Sequence, residues 1–184
     1  MIKYTVEDYN KITSSDLNPT RWELIDGIFQ LAPAPKSLHQ ELSGNIQWEL
    51  NIYLRKNKKR CKIYDAPFDV HLAKDIIVQP DLSVICNLEK ISERGCEGIP
   101  DLIVEILSPS NKENDLPGGF KFNVYQKYEL KEYWVVDPLD KDNITLSQFI
   151  LEDNTLTRKQ VYKKSDVVIS HIFSDLVISL NDVF

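Results

Sequence analysis

The chain has 184 residues, of which 42% are hydrophobic and 27% are charged, and its formal net charge is −6. This length and composition are typical of one soluble domain, so we expect residues 1–184 to form a single domain with a sizeable core. No apolar stretch approaches the roughly 20 residues that cross a bilayer, which argues against a membrane protein. The acidic balance argues weakly against an obligate polyphosphate binder, because the distribution of charge matters more than its sum.

The N-terminal segment and the cysteines indicate a cytoplasmic location. Met1–Glu7 lacks the apolar core and cleavage site of a secretory signal. Cys61, Cys86 and Cys96 are odd in number and widely spaced. This pattern favours reduced thiols over a disulfide framework or a zinc site.

The first half of the chain predicts two helices, a hairpin and three strands. In chain order, we expect a helix over 4–12, a turn-rich connection over 14–19, hairpin strands over 21–25 and 28–31, a helix over 37–54, and strands over 61–64, 68–72 and 76–86. Thr5 and Asp8 suit a helix cap, and Asp26-Gly27 is a strong hairpin turn. Pro33 and Pro35 end the second hairpin strand. Pro80 lies inside the last strand, which should therefore lie at an edge or bend there.

The second half predicts a parallel strand–helix–strand unit followed by antiparallel structure. In chain order, we expect an irregular segment over 87–98, a covered strand over 102–107, a polar loop over 108–119, a helix over 120–130, a strand over 131–137, a hairpin with strands 144–151 and 156–162, and a strand-like tail over 177–180. A strand, a helix and a strand in this order form a parallel pair with a right-handed crossover.

Two carboxylates interrupt apolar runs of the predicted sheet. Asp81 and Glu105 lie among aliphatic residues. Burying a carboxylate there without a cation or a hydrogen-bond donor costs on the order of several kcal/mol. Asp101 and Glu105 share a strand and lie roughly 13 Å apart, too far to bind one ion. Cross-strand neighbours approach to about 5 Å, so Asp81 is the plausible partner of Glu105. Oxygen ligands of this kind favour Mg²⁺, with Mn²⁺ as the alternative.

A divalent ion on this pair suits phosphodiester hydrolysis, because it polarises a phosphoryl oxygen and activates water. Lys121, on the helix after the Glu105 strand, is the candidate for stabilising the developing charge. Other interpretations stay open at this point. Glu105 could pair with a structural cation, Lys121 could be a solvated helix residue, and Tyr125 could belong to the core. His39 suits a helix cap or surface position as well as a catalytic one.

Several motifs in a fixed order resemble one family. They are Trp22–Gly27, Ala66–Val70, Val78–Asp81, Pro100–Ser110 and Lys131–Pro138. Their order resembles the Uma-two family, regarded as endonucleases of the PD-(D/E)xK, restriction-endonuclease-like superfamily. The resemblance implies an α/β fold with a mixed β-sheet flanked by helices, to which we add N-terminal and C-terminal β-hairpins. It also implies a DNA substrate, a divalent metal on Asp81 and Glu105, and a homodimer.

The resemblance also implies the roles of further residues. The superfamily's usual lysine, two residues after the glutamate, is replaced by Leu107, and the family places this lysine on the following helix, here Lys121. Glu23 and His39 match positions that the family keeps near the site. Two functions follow as hypotheses. The first is a magnesium-dependent endodeoxyribonuclease, and the second is a noncatalytic nucleic-acid-binding or dimerisation module with a vestigial site.

Overall fold

The computed structural model describes residues 2–13, 21–32 and 34–184. The predicted connection over 14–19 and the predicted stop at Pro33 lie outside these ranges. Within them, the helices are α1 (Val6–Thr13), α2 (Ser37–Lys56), α3 (Lys112–Asp115) and α4 (Phe120–Lys127), with 3-10 turns at Leu88–Lys90 and Leu180–Asp182. None of these helices combines the length and the apolar character that a membrane crossing requires.

Fourteen strands lie in the described ranges. They are β1 (Trp22–Ile25), β2 (Ile28–Leu31), β3 (Lys62–Asp65), β4 (Val70–Ala73), β5 (Ile76–Val78), β6 (Leu82–Ile85), β7 (Ile91–Ser92), β8 (Gly95–Glu97), β9 (Leu102–Ile106), β10 (Glu132–Asp137), β11 (Thr145–Glu152), β12 (Thr155–Lys163), β13 (Val167–Ile169) and β14 (Val177–Ser179). Parallel and antiparallel pairs both occur, which confirms the mixed α/β fold class.

The described strands form two large sheets where the sequence indicated one central sheet. The first sheet has the order β2-β1-β5-β4-β8-β7, the second has the order β12-β11-β10-β9-β6-β3, and β13 and β14 pair separately. The predicted single strand over 76–86 is therefore wrong: β5 belongs to the first sheet and β6 to the second. Pro80 has no N–H for a sheet ladder, so the chain leaves one sheet and enters the other at this point.

The local predictions at the N-terminus are confirmed. The Thr5 N–H donates to Asp8 Oδ2 at 3.0 Å, and the Asp8 N–H donates to Thr5 Oγ1 at 3.3 Å, which is a capping box before α1. Asp26 and Gly27 have φ values of +49° and +77° in the turn between β1 and β2. Positive φ at both central residues is the geometry that this hairpin turn requires.

Three predicted segments need correction. The segment over 87–98 is not irregular, because β7 and β8 form a short hairpin there. The polar loop over 108–119 contains α3, and the strand β13 had no sequence signal. Cys61 and Cys86 are joined in a disulfide, so the prediction of reduced thiols is wrong for this pair, whereas Cys96 is free and buried. The two bonded cysteines flank the antiparallel pair β3 and β6, a proximity that spacing along the chain did not reveal.

The second sheet is covered on both faces. Leu42, Ile46 and Leu50 of α2 pack with Val84 and Val104 on one face. The other face packs against α4 and the first sheet. The strand–helix–strand unit predicted around α4 is confirmed, because β9 and β10 are parallel neighbours.

Glu105 points toward the α4 side of this sheet. Its strand neighbours Val104 and Ile106 belong to the α2 side, whereas Ile103 and Leu107 belong to the other side. Because side chains alternate along a strand, Glu105 shares the face of Ile103 and Leu107. The fold thereby directs this carboxylate toward the helix that carries Lys121.

Candidate active site

Asp81 and Glu105 lie side by side. Leu82 pairs with Val104 in the ladder between β6 and β9, so Asp81 lies opposite Glu105 one residue further along. The Ile106 N–H donates to Asp81 Oδ2 at 2.8 Å, and the Asp81 N–H lies 3.4 Å from Glu105 Oε2. Asp81 is 7% exposed and Glu105 is 1% exposed. The structure therefore brings together the two acids that cross-strand pairing predicted.

Lys121 reaches Glu105 from α4. Its Nζ lies 3.1 Å from Glu105 Oε1 and 2.9 Å from Glu23 Oε1. Burial alone would lower the pKa of Lys121, but the nearby carboxylates of Glu105, Glu23 and Asp115 reverse this effect and raise the pKa well above its ordinary value. Lys121 is therefore a buried cation held between two carboxylates.

The Glu105 carboxylate also accepts a hydrogen bond from Tyr125. The Tyr125 hydroxyl donates to Glu105 Oε1 at 2.7 Å, one helical turn beyond Lys121. Burial raises the pKa of Glu105 well above its ordinary range, whereas the Lys121 charge and the Tyr125 hydroxyl oppose this rise. Tyr125 is thus both a core residue and a partner of the site, a combination that helical spacing alone did not show.

Glu23 and His39 reach the same place from other elements. Glu23, on β1, accepts the Gln79 N–H at 2.8 Å as well as the Lys121 ammonium. The Gln79 N–H lies just before Pro80, at the point where the chain leaves the first sheet. His39, in the first turn of α2, places its Nε2 3.0 Å from Asp81 Oδ2. All five residues singled out by sequence are therefore neighbours, and their roles remain a prediction.

Asp101 lies apart from this group. Its Oδ2 accepts the Cys86 N–H at 2.8 Å, and its Oδ1 pairs with Lys131 Nζ at 2.7 Å. The side chain thus fixes the start of β9 rather than approaching Glu105. The estimate that four strand residues separate the two carboxylates too widely is consistent with this placement.

Sequence reasoning missed Asp115, the last residue of α3. Its side chain is fully buried, and neither carboxyl oxygen has a hydrogen-bond partner within the described residues. Burial raises the pKa of Asp115 to about 7, with the Lys121 charge lowering it and the Asp81 and Glu23 charges raising it further. The sequence offered only one indication of this role, the position of Asp115 six residues before Lys121, and the surrounding segment was predicted to be a loop.

The donor set suits a hard divalent cation. Four carboxyl groups, those of Glu23, Asp81, Glu105 and Asp115, face two permanent cations, Arg21 and Lys121. Both carboxyl oxygens of Asp115 have no hydrogen-bond partner among the described residues. Oxygen-only ligands of this type favour Mg²⁺ or Mn²⁺ over zinc. Within the described residues, however, no group of three or more His, Cys, Asp or Glu side chains is arranged to bind a metal ion.

The chain is similar to known proteins in sequence and in fold. Residues 6–181 match the Uma2 family, whose description reads "Putative restriction endonuclease". The chain belongs to this family. The fold also matches a crystal structure, at 1.96 Å resolution, of a putative nuclease belonging to DUF820 from Anabaena variabilis ATCC 29413, with a TM-score of 0.73 and 19% sequence identity over 98% of this chain and 97% of that chain. No curated protein shows significant sequence similarity to this Uma2 chain.

Proposed function

We propose that this Uma2 protein is a metal-dependent endonuclease that hydrolyses DNA phosphodiester bonds. The observation that carries the proposal is the adjacency of Asp81 and Glu105 with the Lys121 ammonium in direct contact with Glu105. Two neighbouring carboxylates and a lysine form the minimal set for binding a cation and stabilising charge on a phosphate. Family membership supports the same assignment.

In this proposal, Asp81 and Glu105 bind Mg²⁺, or alternatively Mn²⁺, through carboxylate oxygens. When bound, such an ion polarises a phosphoryl oxygen and lowers the pKa of a coordinated water. Lys121 stabilises the negative charge that develops on the phosphate, and its protonated state fits this task. Glu23 positions Lys121 through the 2.9 Å contact, and Tyr125 fixes the orientation of Glu105.

His39 completes the proposed site from the side of α2. Its Nε2 contacts Asp81 Oδ2, the oxygen that also accepts the Ile106 N–H. A histidine in this position orients the Asp81 carboxylate through this contact. We assign it a supporting catalytic role next to the metal ligand.

One observation favours the second candidate, a noncatalytic nucleic-acid-binding or dimerisation module. Lys121 contacts both Glu105 and Glu23, so these two carboxylates have a compensating charge without any metal. A vestigial site would have this form if the ion pairs had taken over a purely structural task. The candidates differ in whether DNA cleavage depends on both a divalent ion and Asp81.

A nicking assay separates the two candidates. Supercoiled plasmid and single-stranded DNA are incubated with Mg²⁺ or Mn²⁺ and the wild type, Asp81→Ala or Lys121→Ala, with EDTA as the metal-free control. We expect metal-dependent cleavage that falls at least about 100-fold in both variants. Asp142→Asn, an exposed loop substitution, is the matched control and should cleave like the wild type. DNA binding without cleavage by the wild type would instead support the noncatalytic module.

The homodimer and the cytoplasmic location belong to the same proposal. The homodimer follows from the family resemblance, and sedimentation of the purified chain tests it. The cytoplasmic location no longer has support from the cysteines, because Cys61 and Cys86 are bonded. Fractionation of the source cells tests it directly.

A further inference from the structure

Arg21 lies at the same place as the candidate active-site residues but was not among those predicted. It directly precedes β1, and its backbone oxygen accepts the Ala32 N–H at 2.8 Å, which fixes its position beside the hairpin. Arg21 and Glu23 are two residues apart, so strand alternation directs both side chains to one side. Leu24, on the opposite side, packs in the cluster with Tyr9 and Ile77. The hairpin therefore presents Arg21 and Glu23 together toward Asp81.

The donors of Arg21 are largely unused. Its terminal NH2 nitrogen lies 3.9 Å from Asp81 Oδ1, beyond hydrogen-bond distance. Its Nε is buried and has no hydrogen-bond partner within the described part of the chain. A guanidinium group carries five N–H donors in a planar fork, and leaving them unpaired in a partly buried position is costly. Arg21 is thus a cation with donors available for a ligand.

The other basic side chains near the acids differ from Arg21. Lys121 is 7% exposed at its side chain and contacts two carboxylates at 3.1 Å or less. His39 contacts Asp81 at 3.0 Å. The Arg21 side chain is 17% exposed, so solvent can reach it beside the Asp81 carboxylate. Arg21 is thus more exposed than Lys121 and, unlike Lys121, has donors that are not paired with a carboxylate.

We infer that Arg21 binds the phosphodiester substrate, donating guanidinium N–H groups to the non-bridging oxygens of the phosphate at the Asp81 and Glu105 pair. The inference rests on the proposed function and adds a substrate-contacting residue to it. Guanidinium matches phosphate oxygens in a bidentate arrangement that lysine cannot reproduce. These bonds hold the bound substrate and strengthen as negative charge accumulates on the oxygens during hydrolysis, so Arg21 contributes to both binding and rate. A structural counterion to Asp81 would instead be expected at hydrogen-bond distance.

Chemical rescue tests this role. Arg21→Ala is assayed for Mg²⁺-dependent plasmid nicking with and without guanidinium chloride, at concentrations well below those that unfold the protein. We expect kcat/KM to fall at least about 100-fold and to recover in part with guanidinium, because the free ion can occupy the vacated space. Arg21→Lys should stay impaired, since one ammonium cannot replace the fork. Arg158→Ala, on an exposed part of β12, is the control and should keep wild-type activity.

Two further measurements keep the outcomes distinct. Urea unfolding of Arg21→Ala shows whether the fold persists, and a loss of activity that guanidinium does not restore would overturn the inference. If the wild type cleaves nothing, the proposed function fails, and binding of a fluorescein-labelled DNA duplex in Ca²⁺ then decides about Arg21 alone. A Kd raised at least about 10-fold in Arg21→Ala, but not in Arg158→Ala, would support phosphate binding. An unchanged Kd would reject it.

Discussion

Glu105 and Glu132 are buried carboxylates on the adjacent parallel strands β9 and β10, yet their surroundings differ in kind. Glu132 is fully buried and accepts hydrogen bonds from described donors at 3.0 Å or less, namely Trp134 Nε1, Gln148 Nε2, Ser170 Oγ and the N–H groups of His171 and Ile172. All of these donors are uncharged. Glu105 instead contacts a charged lysine and a tyrosine hydroxyl.

The difference shows which of the two carboxylates already has all its hydrogen-bond partners within the protein. Neutral donors surround Glu132 on the α2 side of the sheet and tie β10 to the C-terminal segment, so this group has no capacity left for a ligand. On the α4 side, Asp115 and Arg21 keep polar atoms without partners among the described residues. Buried polar atoms are nearly always paired in folded proteins, so the unpartnered atoms of Asp115 and Arg21 are what support the proposal of a ligand at this site.

The largest effect is expected from a substitution at Glu132, which tests whether this carboxylate is structural. Glu132→Gln replaces an acceptor oxygen with an amide that faces N–H and O–H donors, so we expect a loss of about 3 kcal/mol or more in the free energy of unfolding. Urea denaturation measures it. Glu105→Gln serves as the matched variant and should lose less stability but all nicking activity. Equal destabilisation by the two substitutions would contradict the distinction between a structural and a functional carboxylate.

A second test of the same comparison is how the contribution of Asp115 to stability depends on pH. Its pKa is raised from 3.8 to about 7. Between these two pH values, the folded state therefore keeps a proton on Asp115 that the unfolded state has already released. The contribution of this group to stability is therefore greatest at acid pH, falls between about pH 4 and pH 7, and stays low above pH 7. Asp115→Asn removes this decline. In EDTA, we expect it to raise the free energy of unfolding by about 2 kcal/mol at pH 8 and by less at pH 5.

Chemical denaturation of Asp115→Asn at the two pH values provides the measurement. Adding Mg²⁺ should stabilise the wild type at pH 8, because a cation compensates the carboxyl cluster that the substitution partly discharges. A variant whose advantage over the wild type is the same at pH 5 and pH 8 would show that the Asp115 charge does not destabilise the fold.

The smallest expected effect comes from Tyr125. Tyr125→Phe removes the 2.7 Å hydrogen bond to Glu105 while keeping the ring in the core, so we expect a loss of about 1.5 kcal/mol in thermal or urea unfolding. The pKa of Glu105 should rise further, which would move the acid limb of nicking activity to higher pH. Tyr128→Phe, on a half-buried residue of the same region, should change stability by less than about 0.5 kcal/mol.

Sequence predicted the parts of the site that follow from regular structure. Asp81 and Glu105 stand out because an acid within an apolar strand needs compensation, and cross-strand pairing makes them the plausible pair. The crossover between β9 and β10 follows from the order of strand, helix and strand, and it directs Lys121 to the sheet. Glu23 and His39 were found through family motifs rather than through their own chemistry.

The missed features depend on how distant segments meet. Asp115 belongs to a short helix within a polar stretch, and nothing local shows that this helix is buried beside Lys121. The disulfide joins Cys61 and Cys86 across an antiparallel pair, and only the register of that pair brings them together. At Pro80 the sequence predicted a strand that lies at an edge or bends, but it did not predict that the segments on each side would join different sheets.

Lys121 also has a mechanical consequence. Its ammonium contacts Glu23, which comes from the first sheet, and Glu105, which comes from the second. The same side chain therefore fastens the two halves of the molecule to each other at the point where the chain crosses between them. A ligand that drew Lys121 away from either glutamate would remove this polar link and leave the apolar contact between the two sheets.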